Sequence, residues 1–477
     1  MSVRFVLTGL ILLGLSRSPV RVIAQETSPT QRQTSPPISE TAPAPPGETQ
    51  SLSAASGYWR EAWATGDWGG ARRTLADKGF DLVIRLTQSY QGVTTGARGN
   101  QGEYGGKFLT DFALDFGKLV GWRGLSWQIL TETRFGEIPN IVGTKMIPTT
   151  YLITPKSAGT VFAITGLNFT QLLPLKAKGD AIAFGAGKYM GFDGADSPFN
   201  GGGGHTTFLH LAFNGTPTNG RLVPSVTNGA NLAWIRKGNP FLTFSVRDAV
   251  GHPTTPGITD IFKDGATFIS GISVPTAFGN KSGKQSVTGM VTTRKFTPFF
   301  DGPGEIGPIA PPLALIPEAG SWILQYKMYQ YFSERTSADG TTRGWGMFAT
   351  FAAADGRTNK SGLVLTLGLG GDAVLERRPH DRWGVAYTQD GVSFKYREQA
   401  RPFNLNSENV LEVFYGFAIT PFTTVSPAAL STRAPAVIDT CADGVQRSCT
   451  YHDSSLRFAS TPPRDSTPPA CARTRCA

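Results

Sequence analysis

Leu125-Ser126-Trp127-Gln128-Ile129-Leu130-Thr131-Glu132-Thr133-Arg134-Phe135 is the stretch on which the fold turns. Read with a period of two, it sets Leu125, Trp127, Ile129, Thr131, Thr133 and Phe135 on one face and Ser126, Gln128, Leu130, Glu132 and Arg134 on the other. Successive strand residues point to opposite sides of a sheet, so one side of this strand suits lipid and the other suits water. Lys107 to Gly117 repeats the design, with Phe108, Thr110, Phe112, Leu114 and Phe116 opposite Lys107, Leu109, Asp111, Ala113, Asp115 and Gly117. Val410 to Thr420 does so again, setting Leu411, Val413, Tyr415, Phe417 and Ile419 against Glu412, Gly416 and Thr420. From Phe80 to Phe422 such stretches of roughly ten residues are punctuated by Gly, Pro and Asn, the pattern of a transmembrane antiparallel β-barrel.

A soluble antiparallel sandwich also rests one face on a core and shows the other to water. The aromatics tilt the reading towards the membrane. Phe80 and Tyr90, Trp127 and Phe135, and Trp322 and Phe332 bracket strands long enough to cross a bilayer at a tilt. Such rings favour the headgroup boundary, where one end is apolar and the other wet.

The totals agree. Apolar residues make up 40% of the 477 residues and the mean hydropathy is −0.14. No apolar run beyond the N-terminus approaches a spanning helix, which excludes a helical membrane protein. A closed barrel satisfies its backbone within lipid while only half its strand residues need be apolar. Met1 to Ala24 reads as a signal peptide, with Arg4, an apolar core from Phe5 to Leu15, and Val22-Ile23-Ala24 before the cut. Residues 25–57, rich in Thr, Ser, Pro and Gln, read as a disordered periplasmic lead, and 58–79 as a short helix and plug or cap segment. Of the formal charge of +10, Arg4, Arg17 and Arg21 account for three, and the six arginines and four aspartates after Pro427 for two more. The slight basic excess that remains has no clustered basic stripe, so no nucleic-acid partner is expected.

Enzyme chemistry finds little support. His205, His210, His252, His380 and His452 show no metal-ligand spacing, and no nucleophile elbow is present. Gly201-Gly202-Gly203-Gly204-His205 lacks the Lys-Ser/Thr of a phosphate loop and reads as a flexible turn or external loop. Asp67-Trp68 does not recur at the period of a propeller. No catalytic, cofactor-binding or metal-binding residue is assigned. In a channel the chemistry is selection, carried by residues that face the passing solute. The lumen candidates are Asp81 and Arg85 on the first strand, Asp111 and Asp115 on the second, and Glu132 and Arg134 on the third. Gln325, Lys327 and Tyr329 join them from a later strand. Glu132 with Arg134 is the best pair, and the mixed signs suggest a transverse field.

Between Gly66 and Phe80 the chain reads Gly-Asp-Trp-Gly-Gly-Ala-Arg-Arg-Thr-Leu-Ala-Asp-Lys-Gly-Phe. This resembles the opening of the carbohydrate-selective porin B family of Gram-negative outer membranes. Physically it suits a helix from about Gly70 to Lys78, with Asp67 near its positive end and Gly79 as a left-handed stop. Leu114-Asp115-Phe116-Gly117-Lys118-Leu119-Val120-Gly121-Trp122-Arg123-Gly124 is similar to the family's second-strand ending and turn. Arg378 to Tyr387 and Glu408 to Pro427 are similar to two of its late strands. The resemblance implies a barrel of sixteen strands in the outer membrane that admits sugars by diffusion, without cofactor or energy source; the expected cargo is sugars and small polyols, and the sequence leaves open whether protomers are single or grouped in threes. The rivals are a general or weakly anion-favouring pore and, from another class, a secreted β-sandwich that binds polysaccharide.

Strands counted from the residues number about fifteen between Phe80 and Pro421, with His205 to Lys295 the least regular region; single-chain bacterial barrels have even numbers. The barrel is expected over 80–427. After Pro427 the alternation stops, and 428–477, rich in Pro, Ser, Thr and Arg, holds all four cysteines, Cys441, Cys449, Cys471 and Cys476. This tail is expected to be an aberrant, out-of-frame replacement of the last strand. The alternative is an extension stapled by disulfides.

Overall fold

The computed structural model describes Trp63 to Arg433, apart from residues 93–101, 137–146, 151–159, 178, 192–196, 202, 300–317, 337–341, 373–377, 379 and 401–404. Beyond Arg433 it describes two short strands, Ile438–Thr440 and Gln446–Ser448, that pair with each other. The signal, the lead and most of the tail lie outside the described residues.

The chain enters the sheet through a 3-10 turn, Trp68–Gly70, and a helix α1, Ala71–Asp77. Gly79 follows with a φ of 97°, the left-handed stop expected there. Asp67 Oδ2 accepts from Arg73 Nε at 2.8 Å, and Arg72 lies over the rings of Trp63 and Trp68 while donating to Leu82 O at 2.8 Å. These contacts hold α1 at the foot of the first strand.

Fourteen long strands follow, each antiparallel to the next: β1 Phe80–Gly92, β2 Gly102–Asp115, β3 Leu125–Gly136, β4 Val161–Pro174, β5 Ala181–Met190, β6 Val226–Arg236 and β7 Asn239–Asp248. Then come β8 Ala266–Phe278, β9 Lys281–Phe296, β10 Glu318–Thr336, β11 Thr342–Ala354, β12 Ser361–Asp372, β13 Arg382–Val392 and β14 Glu408–Thr420. Short connections gather at one end, such as residues 237–238 and 279–280, and long ones at the other, above all residues 191–225. In outer-membrane barrels the end with short turns faces the periplasm, so β1 ascends from that side. A five-residue helix α2, Phe116–Val120, fills one of these turns. Its N-cap is Asp115, whose Oδ1 accepts from Gly117 N at 2.9 Å and Lys118 N at 3.3 Å.

Burial is inverted relative to a soluble sheet protein. Ile84, Leu86, Phe108, Trp127, Phe162, Leu232, Phe244, Val291, Leu324 and Leu367 are exposed, whereas Lys107, Asp111, Glu132, Arg134, Arg247, Gln325, Lys327, Thr350, Thr388 and Glu412 are buried. No helix is long and apolar enough to cross a membrane, so the strands do the spanning. Tyr90, Trp127, Trp322 and Phe332, predicted to sit at the membrane boundary, all project from the outer face.

The end of the sheet departs from the expected boundary at Pro427. β15, Thr423–Val425, and β16, Ala428–Arg433, both pair with β14 and share one position beside it. Ordered pairing thus runs six residues past Pro427, because β14 supplies a complete edge on which backbone alone can template a ladder. The sheet has sixteen strands in fifteen positions. Among the described residues β1 pairs only with β2, and β16 only with β14.

Candidate functional site

The interior is built from the inward phase of the strands and from one long connection that folds into it. On the wall of β1–β3, Lys107 Nζ donates to Glu132 Oε1 at 2.8 Å, and Arg134 Nε lies 3.8 Å from Glu132 Oε2. Lys107, Glu132 and Arg134 are 0%, 0% and 2% exposed. The predicted pair therefore exists, but its tighter partner is Lys107. The register explains it: Lys107 stands opposite Arg134 and Leu109 opposite Glu132, so Lys107 and Glu132 are diagonal neighbours on one face. Asp111, on the same face, accepts from Gln128 Nε2 at 3.0 Å. Arg85, half-buried on β1, shares this wall.

Other candidates fare differently. Asp115 sits on the inward phase at the periplasmic end, with one carboxylate oxygen engaged as the cap of α2. Asp81 is also near that end, its charge acting on Arg72. Gln325 and Lys327 are buried on the inward phase of β10, far along the sheet from β1–β3. Tyr329 packs edge-on against Phe199, with ring centroids 6.1 Å apart, and has Lys284 Nζ at 5.9 Å.

The covering element is the connection between β5 and β6: Gly203 and Gly204 form a turn, as expected, but one folded into the interior, which corrects the alternative of an external loop. Gly203 and Gly204 are buried, and His205 Nδ1 lies 2.6 Å from Thr87 Oγ1 on β1. Burial, with Lys107 and Arg85 facing it, holds the His205 imidazole well below its ordinary range and hence neutral. Phe208 packs on Phe348 and Phe414, the latter at 4.9 Å, and Phe199 on Tyr331 at 4.8 Å. These rings leave water together with Phe213, Ala386 and Val410 as an apolar island within a polar interior. A second island joins Leu222 and Val223 to Ile269, Met290 and Ile323 on β8, β9 and β10. The physical reason for insertion is this burial of aromatic and aliphatic side chains, which offsets the ordering of a long loop.

Sequence reasoning placed Lys107 and Glu412 on the wet face without choosing them as lumen candidates, and it missed Glu408 and His205 as interior groups. The phase of β2 and β14 signals Lys107, Glu408 and Glu412, all on the wet face. Nothing local signals His205, whose partner Thr87 is remote in sequence. Lys188 Nζ on β5 and Asn228 Nδ2 on β6 each take carbonyl oxygens of the β7–β8 connection, Thr255 O at 2.8 Å and Pro256 O at 3.0 Å. Arg247 lies over the ring of Tyr189 at 4.1 Å and donates to Asn231 Oδ1 at 2.7 Å. Among the described residues no group of His, Cys, Asp or Glu is arranged to hold a metal ion. The interior offers charged and hydroxylated side chains between a few aromatic rings, which is the chemistry of solute selection.

The comparisons with known proteins agree with this geometry. No curated protein matches the sequence. The chain is similar in structure to OprB of Pseudomonas putida in its high-pH form, at 18% identity over 79% of this chain and 94% of that one, with a TM-score of 0.63. It is also matched to the low-pH form, at 17% identity, 78% and 94% coverage and a TM-score of 0.48. A match to OccK2 (OpdF) of Pseudomonas aeruginosa has 9% identity, 74% and 91% coverage and a TM-score of 0.36. The first of these shows the fold, a porin barrel. The model of the carbohydrate-selective porin, OprB family, matches residues 99–436, starting past the Gly66–Phe80 motif and ending past Pro427. With most of its length matched, this chain belongs to the carbohydrate-selective porin, OprB family, of the Gram-negative outer membrane.

Proposed function

We propose that this sugar porin passes monosaccharides and small polyols by diffusion, with no catalysis and no bound cofactor. The single observation behind this reading is the inversion of the sheet, apolar outside and polar within, around the Lys107–Glu132–Arg134 cluster. Because Lys107, Glu132 and Arg134 are covered, this cluster acts on a passing solute through its field and not by contact, its fixed charges of both signs setting the electrostatic barrier along that wall. Arg85, Asp111, Glu132, Arg134, Gln325, Lys327 and Tyr329 are the residues proposed to meet or shape the path. Asp115 takes part through its capped turn at the periplasmic mouth. The exposed apolar face is proposed to lie against outer-membrane lipid, as a single protomer or a homotrimer. Residues 428–477 are proposed to stand in place of a regular last strand.

Liposome swelling with a panel of mono- and disaccharides tests the cargo: monosaccharides are expected to swell vesicles faster than disaccharides, and equal rates refute the selectivity. One observation favours a second reading. Lys107, Arg134 and nearby Arg85 outnumber Glu132 around the covered cluster, which suits a weakly anion-favouring pore. Block of the ionic current that grows with sugar concentration separates the two, since a general pore shows little.

A further inference from the structure

The two edges of the sheet pose a problem that the inserted connection addresses. β15 and β16 fill one position after fourteen strands, so β16 ascends as β1 does, and the two flanking edges are parallel in direction. Among the described residues no ladder joins them and an antiparallel one could not do so directly, while unpaired backbone within lipid costs several kcal/mol per group. We propose that Glu412 on β14 is the positioning residue that holds the β5–β6 connection as a clasp across this seam, and that the clasp fixes the width of the conduit.

Glu412 is 1% exposed, and its two oxygens accept separate backbone N–H groups, Leu209 at 2.7 Å and His210 at 3.0 Å. A buried carboxylate persists only where donors replace water, and these two donors come from the insert. Four residues earlier, His205 reaches Thr87 on the opposite flank. Between the two anchors the segment is braced by Asn214. Its Oδ1 accepts from Gly204 N at 2.9 Å, and its Nδ2 donates to Phe208 O at 2.7 Å and His210 O at 3.0 Å. A step of four residues reaches at most about 14 Å. Neighbouring strands stand about 4.8 Å apart, so that reach covers the roughly two or three spacings from β14 past β16 to β1. A second connection lies on the first: Ile147 N donates to Glu408 Oε2 at 3.3 Å, and Leu211 N to Pro148 O at 3.4 Å. Thr87, His205, Leu209, His210 and Glu412 thus form one path from β1, one edge of the sheet, to β14, the strand beside the other edge.

The effect on conduit width rests on reading the interior as a channel; the clasp itself does not. The test uses the full chain with Glu412→Ala, Glu412→Gln and Thr87→Val. Deuterium exchange is followed in micelles, and single-channel conductance in potassium chloride is recorded in planar bilayers. In Glu412→Ala, amide exchange in β1 is expected to rise about tenfold or more while β8–β10 stay as in the parent. Mean conductance and its fluctuation are expected to rise with it. Glu412→Gln, which keeps one acceptor, falls between the two. Thr87→Val is expected to raise β1 exchange on its own, and it decides the matter if Glu412→Ala does not fold. Parental exchange in β1 for the variants that fold, or an equal rise in β1 and β8–β10, overturns the clasp. Neither readout contains sugar, so the swelling experiment can fail without this one.

Discussion

β10 and β16 belong to one sheet yet obey the alternation to opposite degrees. β10 is paired along most of its length on both sides, to β9 and β11, and sends Trp322, Leu324 and Phe332 outward against Ser321, Gln325 and Lys327 inward. β16 has six residues and, among the described residues, pairs on one side only. Its register sets Ala428 opposite Phe414 and Leu430 opposite Glu412, on the inner face, and Ser431 opposite Leu411 and Arg433 opposite Asn409, on the outer. The apolar side chain thus points to the conduit and the arginine to the lipid side. Backbone pairing and side-chain phase are separable: a complete edge can template a ladder on a segment whose faces are the wrong way round. Pro427, which offers no N–H, sits at the break between β15 and β16 and still accepts from Tyr415 N at 3.1 Å.

The largest test of that contrast lies on the well-formed side. Glu132→Ala removes the carboxylate from between Lys107 and Arg134 in a covered site and is expected to cost about 3–5 kcal/mol, read from urea unfolding in vesicles. Parental stability would mean that water reaches the cluster. Leu367→Arg, central on the outer face of β12, is expected to cost about 2–4 kcal/mol if that face meets hydrocarbon. The same titration with no loss would place β12 away from lipid. Ser431→Leu asks the reverse question of β16, since it restores an apolar outward position. A gain of about 1 kcal/mol is expected, and a loss would show that β16 does not face lipid.

The smallest effect concerns acid. Asp381, in the periplasmic turn before β13, has its carboxyl held below the ordinary value of 3.8 by hydrogen bonds from Arg378, with further help from Ala418 N at 2.9 Å and Tyr415 Oη. A carboxyl depressed in the folded state adds stability above its unfolded value and loses it as pH falls through the folded one. Thermal midpoints of the parent and Asp381→Asn are therefore expected to differ at pH 7 and to converge below about pH 4. A constant difference down to pH 3 removes the carboxylate from the account.

How much of this was legible in the sequence depends on range. The phase of β1, β2, β3, β10 and β14 follows from local alternation, and every lumen candidate falls on the inward side of its strand. The helix after Gly70 and its glycine stop are equally local. The tally of about fifteen strands between Phe80 and Pro421 is one above the fourteen found there, and the fifteenth position is filled past Pro421 by β15 and β16, whose own pattern does not announce them. What the alternation could not show is which loop turns inward. The described part of the β5–β6 connection inserts because Phe199 and Phe208 find rings on β10, β11 and β14, contacts made across more than a hundred residues, with Phe213 packed beside Phe208. The pairing of Glu132 with Lys107 also needed the register between β2 and β3, which the single strands do not carry. The ordered residues past Pro427 escaped for the same reason, since their partner and not their own pattern makes them a strand.

The inner wall is recessed where the inserted rings rest. A Cβ at Gly384 would come within 2.5 Å of the ring of Phe208, and one at Gly346 within 2.8 Å of that of Phe199. Insert and wall are cast to one mould, each shaped by the other's absence of atoms. Neither surface has room for an added carbon where they meet, so a larger side chain at Gly384 displaces the Phe208 ring and with it the seat of the whole inserted segment.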